Sequence, residues 1–143
     1  MPSTNKKTII YCEKKAKKLY DEIKKSNYFK ELDLSIIFCL AAAHGFREGK
    51  FLELADTHSG GLIRVEYIEN NTELKRILEA IAIAHANSLE ILFEKVKIYE
   101  IAEAYANGGI RILHPAIFNN SKGPDFDKEI EAEINEIVKK LKK

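Results

Sequence analysis

Four histidines (His44, His58, His85 and His114), two cysteines (Cys12 and Cys39) and the run Asp56-Thr57-His58-Ser59 are where this 143-residue chain could carry reaction chemistry. The run holds three catalytic residue types in four positions. A working triad, however, is a spatial arrangement drawn from separate segments, and sequence neighbours in a loop do not form one. No two histidines have the i, i+4 spacing of a zinc-binding helix, and HExxH is absent. His44 and His85 fall on or beside apolar helical faces and read as packing or capping residues. The cysteines lie in apolar helical context, where a free thiol behaves as a small hydrophobe. They form no CxxC and are too few for a disulfide framework. No metal or cofactor is expected.

Ser59-Gly60-Gly61 and Asn107-Gly108-Gly109 are the glycine pairs that could cradle a phosphate. Both lack the lysine of GxxxxGK[ST] and the spacing of GxGxxG. Ala102, Ala106 and Gly109 are spaced four and then three apart, so they share one helical face. With Gly108 they form a small-residue surface that lets another backbone approach, within the domain or across an interface between copies.

The lysines offer a different chemistry. Residues 1–30 hold nine lysines against three acids, a net +6, while the remainder holds fourteen basic and nineteen acidic groups, a net −5. In the first helix Lys14, Lys15, Lys17, Lys18, Lys24 and Lys25 surround an apolar stripe. Such a face can neutralise phosphates of double-stranded DNA in a sequence-independent, salt-dependent way. It can equally be a solvated helix surface or dock on an acidic protein. Arg47, Lys50, Arg64 and Arg111 add a second basic edge if the fold brings them together. The acids of the last helix (Glu129, Glu131, Glu133 and Glu136) read as a solvated face.

The elements that would position these groups are helical. Glycine (7) and proline (3) are scarce and the apolar fraction of 45% suits a folded core. The i, i+3, i+4 pattern predicts helices over 10–25, 33–47, 72–86 and 95–118, with a short turn of helix over 88–93. Asp33, Asn71 or Thr72, and Ser88 are the expected caps. Gly45 and Gly49 are read as the end of the second helix. Gly108-Gly109 permits a bend, and Pro115 is expected to kink or end its helix. Asp125 opens a last helix over 125–142, acidic early and basic late, as the helix dipole favours. Residues 62–68 alternate and admit one short strand. The core should include Leu40, Phe46, Leu74, Ile77, Leu78, Ile81, Leu92, Ile98, Ala102, Ala106, Leu113 and Ile117. The longest apolar run, about eight residues, is far short of the roughly 20 that span a bilayer. The start has no apolar region of signal-peptide type. The expectation is a cytoplasmic, all-α, single compact domain of about five helices over 1–143. It comprises a basic arm and first helix (1–30), a core (31–118) and the C-terminal helix.

Three segments in order, IIFCLAAAHGFREGK (Ile36 to Lys50), LEAIAIAHANSLEIL (Leu78 to Leu92) and IYEIAEAYANGGIRIL (Ile98 to Leu113), resemble the DNA phosphorothioation (Dnd) system-associated protein 4 family. The likeness runs over about residues 26–120, and YANGG is its most specific element. It implies a bacterial phage-defence setting, beside DNA sulphur-modification or other restriction genes, with the other proteins of that system as partners. The layout is also distantly similar to DndE, a small, all-helical, oligomeric DNA-binding protein. The place corresponding to the glycine-containing helix of DndE reads Asn107-Gly108-Gly109-Ile110-Arg111 here. Taken with the lysines, the resemblance implies a non-catalytic accessory subunit that binds DNA through Lys14, Lys15, Lys17, Lys18, Lys24, Lys25, Arg47, Lys50 and Arg111, or bridges DNA to an enzyme. The alternative is an adaptor or self-assembling subunit with no DNA contact. A nuclease has no motif behind it.

Overall fold

The computed structural model describes residues 6–27, 29–120 and 139. Strand β1 (Ile9–Ile10) leads into helix α1 (Lys14–Lys25), a 3-10 turn (Phe29–Glu31) and helix α2 (Leu34–Glu48). Strand β2 (Ile63–Arg64) follows a long irregular segment. The chain continues through the short α3 (Glu66–Glu69), α4 (Thr72–Ala86), a second 3-10 turn (Leu89–Phe93) and α5 (Lys95–Asn120). The fold is all-α: among the described residues there are five helices and one minimal antiparallel sheet pairing Ile9 with Arg64 and Ile10 with Ile63. The last helix expected over 125–142 lies outside the described residues.

Two helices make the centre. α2 is apolar nearly all round, and Ile37, Phe38, Cys39, Leu40 and Ala41 to Gly45 are buried. α5 lies against it and buries Ile98, Ala102, Ala106, Ile110, Leu113 and Ile117. The closeness of the pair comes from two glycines. A Cβ on Gly109 would lie 1.7 Å from the Ala41 carbonyl oxygen, and one on Gly45 1.9 Å from that of Tyr105. On the side of α5 that faces the 49–52 segment, a Cβ on Gly108 would lie 2.2 Å from the Lys50 carbonyl oxygen. The small-residue face of Ala102, Ala106 and Gly109 therefore receives this chain's own α2, and it is not open to a second copy. Gly45 sits inside α2 where α5 approaches, not at its end. The stop is Gly49, in the left-handed conformation (φ 68°) with its N–H on the Gly45 and Phe46 carbonyls.

α1 packs over the pair through Ala16, Tyr20 and Ile23, all essentially inaccessible. α4 packs through Leu74, Leu78, Ile81 and Ala82. Its first turn is capped by Asn71 Oδ1, which accepts from the Leu74 N–H at 3.1 Å. Ser88 Oγ likewise accepts from the Glu90 N–H. Asp33 occupies the N-cap of α2, and its side chain makes no capping bond.

Several expectations are corrected. The first helix starts at Lys14 and not at residue 10, because 9–10 are taken by the sheet and Cys12 and Glu13 by the 56–58 segment: His58 N–H donates to the Cys12 carbonyl and Lys14 N–H to that of Asp56. The strand near 62–68 shortens to Ile63–Arg64, since Glu66 begins α3. α5 runs unbroken through Gly108-Gly109 and Pro115 to Asn120. Leu113 and Ile117, buried on either side of Pro115, hold the helix where a proline would otherwise end it. Leu92 is 37% exposed, because the 3-10 turn carrying it anchors through Ile91 instead. Phe46 and Ile77 are only partly buried, packed against the core from outside.

Candidate nucleic-acid interface

The inward stripe of α1 forces its lysines outward. Lys15, Lys18 and Lys25 are exposed and have no ion-pair partner among the described residues. Lys14 is also exposed and makes a loose 3.5 Å pair with the exposed Asp56. The other two have local tasks. Lys17 pairs with Asp21 at 2.6 Å, an i, i+4 bridge, and Lys24 Nζ donates to the carbonyls of Lys30 and Leu32, tying α1 to the following 3-10 turn. Four of the six helix lysines therefore remain as a basic face.

The second basic edge forms in part. Arg64 lies on β2, paired with Glu66 at 2.7 Å, beside a different cavity lined by Ile9, Ser35 and Tyr67. Arg47 pairs with Glu48 at 2.9 Å. Lys50 and Arg111 do converge: with Gly49, Phe51, Leu52, Gly108 and Ile112 they line an open groove of about 300 Å³. Gly108 makes the groove by letting the Lys50 backbone lie on α5.

Arg111 belongs to a polar stripe on α5, Glu103, Asn107 and Arg111 at four-residue spacing. The stripe fastens the N-terminal segment and the loop after α2 to the core. Glu103 accepts from the Tyr11 N–H at 2.7 Å and pairs with Lys7 at 2.9 Å, and Lys7 also lies 5.1 Å from the centre of the Tyr11 ring. Burial pushes the Glu103 carboxyl above its ordinary range, against the pull of Tyr11 N–H and Lys7. Asn107 Nδ2 donates to the Leu52 carbonyl at 2.9 Å. Glu13 accepts from the Ala55 N–H at 2.8 Å and pairs with Arg111. The Ala55 N–H, chiefly, holds the Glu13 carboxyl below the usual value; burial opposes it and Arg111 adds to it. Arg111 Nε donates to the Asn107 carbonyl at 3.1 Å and Nη2 to Asn107 Oδ1 at 3.3 Å. Nη1 has no hydrogen bond among the described residues. Arg111 is thus an oriented side chain with part of its fork left over, not a free cation.

An aromatic group closes the other side of the groove. Phe51 stacks on His85 with ring centres 4.5 Å apart, both contact Tyr105, and His85 Nδ1 shares a 2.8 Å hydrogen bond with the Tyr105 hydroxyl. His85 therefore sits on the surface in an aromatic cluster, not in the apolar stripe of α4. His44 is buried in α2, and His114 bonds Glu22 at 2.5 Å, pinning α1 to α5. Asp56-Thr57-His58-Ser59 is a clasp for the start of α1, with Thr57 bridged to Glu13. Burial pushes the Cys12 thiol up to about 11 and Cys39 higher still, so both stay protonated at neutral pH. Among the described residues no three His, Cys, Asp or Glu side chains are placed to share a metal ion. No helix among them is long and apolar enough to cross a membrane.

The model of a family described as DNA sulphur modification system-associated protein 4 matches residues 12–140. The chain belongs to this family. The match takes in nearly the whole sequence, beyond the 26–120 span of the sequence likeness. It concerns the system-associated protein 4 family and not DndE, so the likeness to DndE stays one of sequence layout. No curated protein and no solved structure matches the chain. The family's description ties the chain to a DNA sulphur modification system, with that system's other proteins as its setting.

The glutamates of the site were missed in the sequence. Glu13 and Glu103 look like ordinary surface charges there. The one signal available was the i, i+4 spacing of Glu103, Asn107 and Arg111, three polar positions on one face of the helix.

Proposed function

We propose that this member of the system-associated protein 4 family is a non-catalytic, cytoplasmic accessory subunit that contacts double-stranded DNA. The contact runs over the outer face of α1 through Lys14, Lys15, Lys18 and Lys25. One observation carries the reading: α1 is docked by Ala16, Tyr20 and Ile23, which leaves these four lysines exposed on the opposite surface. Lysines so placed can neutralise backbone phosphates without reading bases. Arg47, Lys17 and Lys24, tied to neighbours, drop out of the contact set. Arg111 and Lys50 stand at its edge, since Arg111 grips Glu13 at the start of α1.

The test is mobility shift of duplex DNA by the purified protein beside the Lys14→Glu, Lys15→Glu, Lys18→Glu, Lys25→Glu variant. The reading expects a shift for the parent and none for the variant, with identical helical circular dichroism. Equal shifts would remove α1 from the interface. Absence of any shift for the parent at low salt would favour the adaptor role. For that role the observation is Phe93, 90% exposed on a turn beside Leu89.

A further inference from the structure

The groove between the 49–52 segment and α5 combines features that the lysine face lacks. It holds two cationic side chains, Lys50 and Arg111, beside an aromatic ring, Phe51, and the apolar edges of Leu52 and Ile112. A duplex backbone has no use for the ring. We infer that this groove takes an unpaired nucleotide of DNA, with its base on Phe51 and its phosphate between Lys50 and Arg111. The inference rests on the DNA-contact reading above and names the part of the DNA that it engages.

Three observations support that ligand. Phe51 is 40% exposed, and its stacking on His85, itself held by Tyr105, fixes the ring as a platform. A ring held in this way loses little freedom when a base stacks on it, and every base has a π-face. Lys50 carries no ion pair among the described residues, so its charge is available. Arg111 is clamped at Nε and Nη2 by Asn107 and Glu13, which leaves Nη1 to donate. The clamp also opposes binding, because Glu13 offsets the Arg111 charge. Lys50 must therefore supply the net attraction, and Arg111 the direction. The cavity, about 300 Å³, is at the small end of ligand pockets and open to solvent, as suits one nucleotide of a longer strand. Gly108 lets the Lys50 backbone form one wall directly on α5: any side chain there would meet it.

Fluorescence anisotropy with two labelled DNAs, one an intact duplex and the other the same duplex with a single-stranded gap, tests this. The parent should bind the gapped DNA more tightly, by roughly 5- to 150-fold if one base stacks. Phe51→Ala should erase that preference and leave the intact-duplex affinity unchanged, and Lys50→Ala should reduce it. Phe51→Leu, which keeps the apolar bulk without the π-face, should behave like Phe51→Ala and separates stacking from packing. Binding of both DNAs with equal affinity by the parent would overturn the groove assignment while leaving the lysine face intact. So would a gap preference that survives Phe51→Leu. Failure of the parent to bind either DNA would overturn both readings.

Discussion

At the scale of single residues, the fold hangs on glycines and glutamates whose neighbours allow little else. A Cβ at Gly109 or Gly45 would overlap backbone atoms of the facing helix, and backbone cannot rotate away. Gly109→Ala and Gly45→Ala should each cost more than about 3 kcal/mol, or abolish folding. Gly49→Ala meets nothing within 4 Å and strains only a positive φ, so it should cost about 1–2 kcal/mol. Urea denaturation of the three variants would show whether the order holds. The glutamates set an acid limit. Burial raises the Glu69 carboxyl, but hydrogen bonds from Tyr99 and Lys75 and the nearby Lys95 outweigh it and hold the pKa low. Glu13 is held low as well. A carboxylate with a depressed folded pKa contributes stability above its unfolded value, about 4.3, and loses it as pH falls through the folded value. Thermal melts should therefore drop steeply below about pH 4.3, and Glu13→Gln with Glu69→Gln should flatten that drop. A melt indifferent to both replacements would contradict the assignment. Legibility at this scale was uneven. The Ala102, Ala106, Gly109 face was visible as periodicity, but its occupant was not. Glu13 gave no warning, and Glu103 only its spacing with Asn107 and Arg111, because burial of a charge depends on which distant segments fold over it.

At the scale of elements, helices with strong apolar period were legible: α2, α4 and α5 lie within a few residues of the pattern, and Asn71 and Ser88 cap as their types suggest. The start of α1, β2 and the run through Pro115 were not, because each is decided by tertiary partners. Residue 10 opens a helix by pattern but pairs with Ile63, and a pairing more than 50 residues away leaves no local trace. The same clasp yields a prediction. Glu13 binds the loop after α2 through Ala55 and α5 through Arg111, so Glu13→Ala should free both. Amide exchange across 52–58 should quicken, while α2 and α4 exchange as before. Uniform acceleration throughout would mean that Glu13 supports the whole fold and not the clasp alone. α1 itself is held by its inner face. Tyr20→Ala should cost about 3–5 kcal/mol, as for other large buried rings, whereas Lys15→Glu and Lys18→Glu on the outer face should stay within about 0.5 kcal/mol.

At the scale of the whole molecule, a helical core built on one close helix pair presents a lysine face, an aromatic-cationic groove and an exposed Phe93 turn. Charge asymmetry along the sequence foretold the first of these. The groove was legible only as a basic edge conditional on the fold, since Lys50 and Arg111 are 61 positions apart and meet because Gly108 lets the chain settle on α5. Family membership sets the protein beside DNA sulphur modification, and the lysine face is the part of the account that says how it would act there. The most direct measurement is the salt dependence of duplex-DNA affinity for the parent and for the variant with Lys14, Lys15, Lys18 and Lys25 changed to alanine. Each lysine–phosphate contact contributes close to one unit of slope in log K against log salt concentration. The account predicts a steep slope for the parent and a slope shallower by about three to four for the variant. Superimposable slopes, or an affinity that does not respond to salt, would contradict it.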